Sequence, residues 1–148
     1  MMEHKTWTTL VSKAEDQRRL AQEALGLAKR NLKGALLRRE RVAALLAEAP
    51  RQIATGDSRT FIQGQAYAQK LQQLLARVDQ EILIFQEEVS EKDRRLRAAE
   101  LTASRYGAVL KRVLRTEAQR TAKAEQKSQD ASALNRFLQR QGLAGGFQ

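Results

Sequence analysis

Three carboxylates, Glu87, Glu88 and Glu91, stand close together in the sequence, and such a group is where acid–base catalysis would first be sought. A working pair of carboxyls needs a pocket that excludes water and drives their pKa values apart. Here the acids precede bases by four residues, as Glu88/Lys92, Glu91/Arg95 and Asp93/Arg97. That spacing and order is the favourable one for ion pairs along an exposed helix face. The cluster is therefore read as a solvated face. His4 is the one histidine and cysteine is absent, so neither a histidine metal site nor thiol chemistry can be assembled. The glycines from Gly142 to Gly146 lack the lysine and following helix that a phosphate loop requires. The serines show no triad spacing. These residues predict a protein that is not an enzyme and uses no cofactor and no metal.

The remaining candidate residues are basic. The chain of 148 residues carries a formal net charge of +10, unevenly placed. Residues 1–50 hold ten Lys/Arg against six Asp/Glu, residues 51–100 eight against eight, and residues 101–148 nine against three. The excess lies in Lys29 to Arg41 and in the stretch after Arg105, which includes Lys111, Arg112, Arg115, Arg120, Lys123, Lys127, Arg136 and Arg140. Such a field draws acidic partners, whether protein, nucleic acid or anionic lipid. Nucleic acid is disfavoured by the lack of interleaved aromatic platforms and of any known nucleic-acid module. A basic leucine zipper would also set its basic region before the zipper, whereas here it follows. A merely solvated face and a face for a protein partner both stay open.

The elements that must position these residues are helices. Aromatics make up 5% of the chain and charged residues 30%, while Ala and Leu dominate the 42% that is hydrophobic. That composition suits long exposed helices and not a sheet. From Trp7, steps of four and three give Trp7, Val11, Ala14, Arg18, Ala21, Leu25, Ala28, Leu32, Ala35, Arg39, Val42 and Leu46, ten of twelve apolar. Pro50 should end this helix at about residue 49. Gly56, Asp57 and Ser58 mark a turn over 50–59, and Thr60 with Gln63 forms a candidate capping box. A second register then runs Phe61, Gly64, Ala68, Leu71, Leu75, Val78, Ile82, Phe85, Val89, Lys92, Leu96, Ala99, Ala103, Tyr106, Leu110 and Val113, fourteen of sixteen apolar. It weakens through Glu117, Arg120, Ala124 and Lys127, then recovers at Ala131, Leu134 and Leu138.

Sustained heptads of this kind predict an all-α, antiparallel two-helix coiled-coil hairpin with a longer second helix. The expected layout is a single hairpin over 1–148: helix 1 over 7–49, turn 50–59, helix 2 over 60–140 and a frayed tail over 141–148. Folding back near residue 54 sets facing residue numbers to a sum of about 108, with Leu46 opposite Ile62 and Trp7 near Leu101. One seam, with several alanines and with Arg18, Arg39 and Lys92 in it, should hold loosely. Tyr67, Leu74, Leu83 and Ile84 fall off the seam; they either widen it, serve a higher oligomer, or form an apolar strip for a partner. No signal-peptide core and no apolar run of about 20 residues is visible, which predicts a soluble cytoplasmic chain.

The layout and the stretch Phe61-Ile62-Gln63 through Tyr67, Leu71 and Ile82, with Leu134-Asn135-Arg136-Phe137 later, resemble the stalk proteins of type III export machines. These are the flagellar FliJ type and its injectisome counterparts of the YscO and HrpO type. The resemblance implies a non-enzymatic central stalk that inserts into a hexameric export ATPase, stimulates it, and links it to the membrane export gate and to export chaperones. It implies a cytoplasmic location, peripheral at the inner-membrane export apparatus, with no membrane insertion and no nucleic acid. Carried over by position, the gate surface would fall on Tyr67, Leu71, Leu74 and Val78. The ring-facing part would be Lys111, Arg112, Arg115, Arg120, Lys123, Lys127 and Arg136. Family members often carry tyrosines late in the first helix; Arg41 to Leu46 has none. A homo-oligomeric structural coiled coil is the alternative reading, and a basic nucleic-acid-binding coiled coil is a further one.

Overall fold

A computed structural model describes the backbone of residues 2–53 and 57–145, and the side chains of 3–50 and 57–142. The described residues form two helices, α1 (Met2–Ile53) and α2 (Ser58–Gly145), so the all-α class is as expected. By contact the chain divides into two compact units, Glu15–Leu101 and the pairing of Met1–Ala14 with Thr102–Gln148.

Within Glu15–Leu101, late residues of α1 meet early residues of α2. Leu46 and Ala49 share a groove with Phe61 and Ala68. Arg39 meets Asp79 at 2.6 Å. Ala35, Val78 and Ile82 form a buried cluster with Leu32 and Phe85 packed on it. Contacts in this order are those of antiparallel neighbours. Small residues on one helix receive larger ones from the other, with Ala35 fully buried against Val78 and Ile82. The unit made by residues 1–14 and 102–148 has an aromatic contact instead: Trp7 and Tyr106 meet edge to face with ring centroids 5.8 Å apart.

The heptad reading holds in detail. Every expected seam position in α1 is buried or half-buried except Arg39, and every one in α2 from Gly64 to Val113 is too. Arg39 leaves the seam because its guanidinium reaches Asp79 at the seam's edge. The seam is thin. Ala14, Ala28, Ala35, Ala49 and Ala103 supply half of the buried hydrophobic residues described, so each buries few methylenes. Among the described residues, no side chain of large volume is fully buried.

Several boundaries differ from expectation. Helix α1 runs through Pro50 to Ile53. Proline removes one backbone donor, and with less than a turn remaining that loss touches only the carbonyl four residues back. Helix α2 starts at Ser58 and is capped by Asp57, not Thr60. The Asp57 Oδ1 accepts the Thr60 backbone N–H and the Thr60 hydroxyl, both at 2.9 Å. The Phe61 N–H donates to the Asp57 carbonyl at 2.9 Å, the first bond of the helix. An aspartate side chain accepting the third helical N–H is a standard N-cap. Helix α2 continues through Gly142 to Gly145, past the expected end at 140. Of the expected turn, residues 54–56 lie outside the described residues, as do 146–148 of the expected tail.

The register differs from the expected sum. Trp7/Tyr106 sums to 113, and Ala35 packs with Val78 and Ile82 at sums of 113 and 117, all above 108. Ile62 and Leu101, which the expected sum set opposite Leu46 and Trp7, lie off the repeat of α2 and are 67% and 52% exposed. Phe61, expected in the seam, is exposed beside the groove that Leu46 lines.

Candidate interaction surfaces

In the Glu15–Leu101 unit the four residues expected at a gate surface separate into two kinds. Leu71 and Val78 are seam residues, buried at 6% and 4% exposure, while Tyr67 and Leu74 stand on the flank and are exposed. The flank is more than apolar. Leu74 lies in a groove of about 360 Å³ with Val42 and Val78 as floor and Arg38, Arg41, Arg77 and Glu81 as rim. Arg38 approaches Glu81 Oε2 at 3.2 Å. That oxygen is buried without an aligned hydrogen bond, so the contact is one of charge at close range. Arg38 and Arg41 belong to the basic stretch seen in the sequence, but Arg77 does not. Its place on the rim follows from the true register of the two helices, which the expected sum missed.

A second groove, of about 600 Å³, lies between Leu46, Ala49, Pro50, Phe61, Gln65, Ala68 and Gln72. Its lining is apolar with two amides and no charge, so it offers shape and hydrogen bonds without a titratable group. Leu83 and Ile84 are exposed at 64% and 59% beside Gln86, Glu87 and Ser90. On α1, Leu20 and Leu27 are also exposed, and sequence reasoning did not single them out. Both lie outside the steps of four and three, which was the available signal.

In the unit holding residues 102–148, burial ends abruptly. Val113 and Glu117 are half-buried, and every residue from 118 to 142 is exposed. All seven residues expected to meet a ring are exposed: Lys111, Arg112, Arg115, Arg120, Lys123, Lys127 and Arg136. The expected recovery of the seam at Ala131, Leu134 and Leu138 brings no burial. Leu134, Phe137 and Leu138 are 57%, 55% and 55% exposed.

Two of the three expected acid–base pairs form along the surface of α2, and Glu88/Lys92 is not among the ion pairs of the described residues. Glu91 meets Arg95 at 2.6 Å and Asp93 meets Arg97 at 3.0 Å, as the spacing predicted. Asp57 is the one described group with a resolved change of acidity. The Thr60 backbone N–H, and after it the Thr60 hydroxyl, hold its carboxyl below the ordinary range. That is the signature of a helix cap and not of a reacting group. Among the described residues, no group of three or more His, Cys, Asp or Glu is placed to hold a metal ion. No described helix is long and apolar enough to cross a membrane. Compared with protein-family models, curated proteins and solved structures, the chain finds no match.

Proposed function

We propose that this chain is the non-enzymatic central stalk of a type III protein export machine, engaging a hexameric export ATPase at one end and an export gate through its paired helices. The observation that carries the reading is the stretch 118–142 of α2, helical and wholly exposed, with Arg120, Lys123, Lys127, Arg136 and Arg140 on it. A stalk needs a stiff element that is left unfilled within its own chain where it meets a ring, and charge to steer that meeting. The unequal helices, 52 and 88 residues long, supply the asymmetry. Tyr67 and Leu74, with the arginine rim around Leu74, supply a second and chemically different surface for the gate or for export chaperones. ATP chemistry belongs to the ring in this reading. The chain acts by unequal contact with the ring's subunits, favouring their assembly and turnover.

The test is ATP hydrolysis by the purified export ATPase of the same organism, with and without this chain. Stimulation that is lost when Lys111, Arg112, Arg115 and Arg120 are changed to glutamate supports the stalk. No stimulation, together with no co-purification, overturns it. A structural homo-oligomer is the second reading, favoured by the adjacent exposure of Leu83 and Ile84. Sedimentation that shows a dimer at micromolar concentration, dissolved by Leu83→Ser with Ile84→Ser, would establish that one.

A further inference from the structure

The register of α2 does not stop where its burial stops. Steps of three and four carry on from Val113 and Glu117 through Arg120, Ala124, Lys127, Ala131, Leu134 and Leu138. The face that the helix buries up to Val113 therefore continues along exposed helix as a strip that is basic first and apolar afterwards. Phe137 flanks the strip beside Leu138 and is likewise exposed. A purely electrostatic contact would not need Leu134, Phe137 and Leu138 side by side on an open helix. A purely apolar one would not need Arg120 and Lys127 at positions that elsewhere face a partner.

We propose that the face from Arg120 to Leu138 is a docking seam for an acidic amphipathic helix of another protein. That helix sets carboxylates against Arg120, Lys123 and Lys127 and leucines against Leu134, Phe137 and Leu138. Two observations select this occupant. The first is continuity: the strip keeps the heptad spacing of the seam already formed within the chain, and heptad spacing is matched by another helix. The second is charge: residues 118–142 hold five Lys/Arg against Glu125 and Asp130. A second copy of this chain fits poorly, because antiparallel self-pairing would oppose two net-positive segments and set Arg120 against Leu138. Nucleic acid would use the charges and leave the three apolar side chains in water. The inference goes beyond the stalk reading, since it specifies the chemistry of the partner segment whichever protein supplies it.

The experiment uses the full chain and two fluorescein-labelled synthetic helices of about 25 residues with leucine at both core positions. One carries glutamate at the flanking positions and the other lysine, and binding is read by fluorescence anisotropy. The acidic helix binds and the basic one does not. Leu134→Ser with Leu138→Ser weakens binding by at least about tenfold, the effect of losing two partly buried leucines. Arg120→Glu with Lys127→Glu reverses the preference between the two helices. Both pairs of substitutions sit on exposed helix, so circular dichroism of the variants should match the parent. Equal binding of the two helices, or acidic binding indifferent to the leucine changes, overturns the proposal. So does a homodimer that the leucine changes dissolve, or tighter binding to a duplex oligonucleotide that they leave untouched.

Discussion

Two regions of α2 share a register and differ in what the register meets. From Gly64 to Leu101 the repeating positions are filled and covered: Leu71, Val78 and Ile82 are buried, and Arg39 reaches over to Asp79. From residue 118 to 142 the same repeat meets nothing in the described structure, and every side chain is exposed. The difference teaches that heptad spacing states what a helix can pair with, not whether a partner lies in the same chain. Burial then follows from supply. Where α1 provides Ala28, Ala35 and Val42 the seam closes, and where no α1 residue stands opposite it stays open.

The largest effect is expected in the closed seam. Ala35→Glu would place a charge in the fully buried site beside Val78 and Ile82, and should unfold the paired unit, with loss of helical circular dichroism at room temperature. Ile82→Ala, milder, should cost about 2–4 kcal/mol in urea titrations by loss of transfer energy plus the cavity left. At the open end, Leu134→Ala should change stability by less than about 0.5 kcal/mol, since a solvent-facing leucine has no packing to lose. If the two leucine-to-alanine or isoleucine-to-alanine costs were equal, the distinction between closed and open seam would fail.

Smaller effects sharpen the same contrast. Gly107→Ala should stabilise by about 0.5–1 kcal/mol, because a Cβ there meets nothing within 4 Å and glycine weakens a helix. Breaking the cross-helix pair with Arg39→Ala should cost about 0.2–1 kcal/mol, shrinking as salt is added, because both side chains are 47% exposed. The cap adds an effect that depends on pH. The Asp57 carboxyl is depressed by the Thr60 N–H and hydroxyl, so its stabilisation is present above the unfolded carboxylate range. It fades as pH falls through the lowered folded value. Asp57→Ala should abolish that acid-range dependence of the melting temperature, whereas Asp57→Asn should keep the cap without the pH dependence.

Most of the fold was legible because a repeat of three and four needs only residue types. Leu71, Val78 and Ala103 announced their burial from position alone, and Tyr67 and Leu74 their place off the seam, while the choice between a widened seam and an exposed flank needed the structure. What was not legible was the exact offset of the helices. Pro50 argued for an early stop, yet a proline in the last turn sacrifices a single bond, so the helix carries on to Ile53. Asp57 stands in a Gly56-Asp57-Ser58 run that spells a turn, yet its short side chain closes the first turn of α2. The facing residues sum to 113 and more instead of 108, and that offset brings Arg77 beside Arg38 and Arg41 on one rim. The basic stretch and its continued repeat are visible in the sequence, but that every residue from 118 to 142 is left uncovered needed the burial pattern.

In the function proposed above, residues 118–142 are a helix held open for a partner protein. Amide hydrogen exchange of the full chain, alone and with the hexameric export ATPase proposed as that partner, tests this directly. An unpartnered helix opens readily, so residues 118–142 should exchange far faster than 64–101 in the free chain. They should gain protection when the ATPase is added. Equal protection of the two stretches in the free chain, or no gain over 118–142 with the ATPase bound, would contradict the claim.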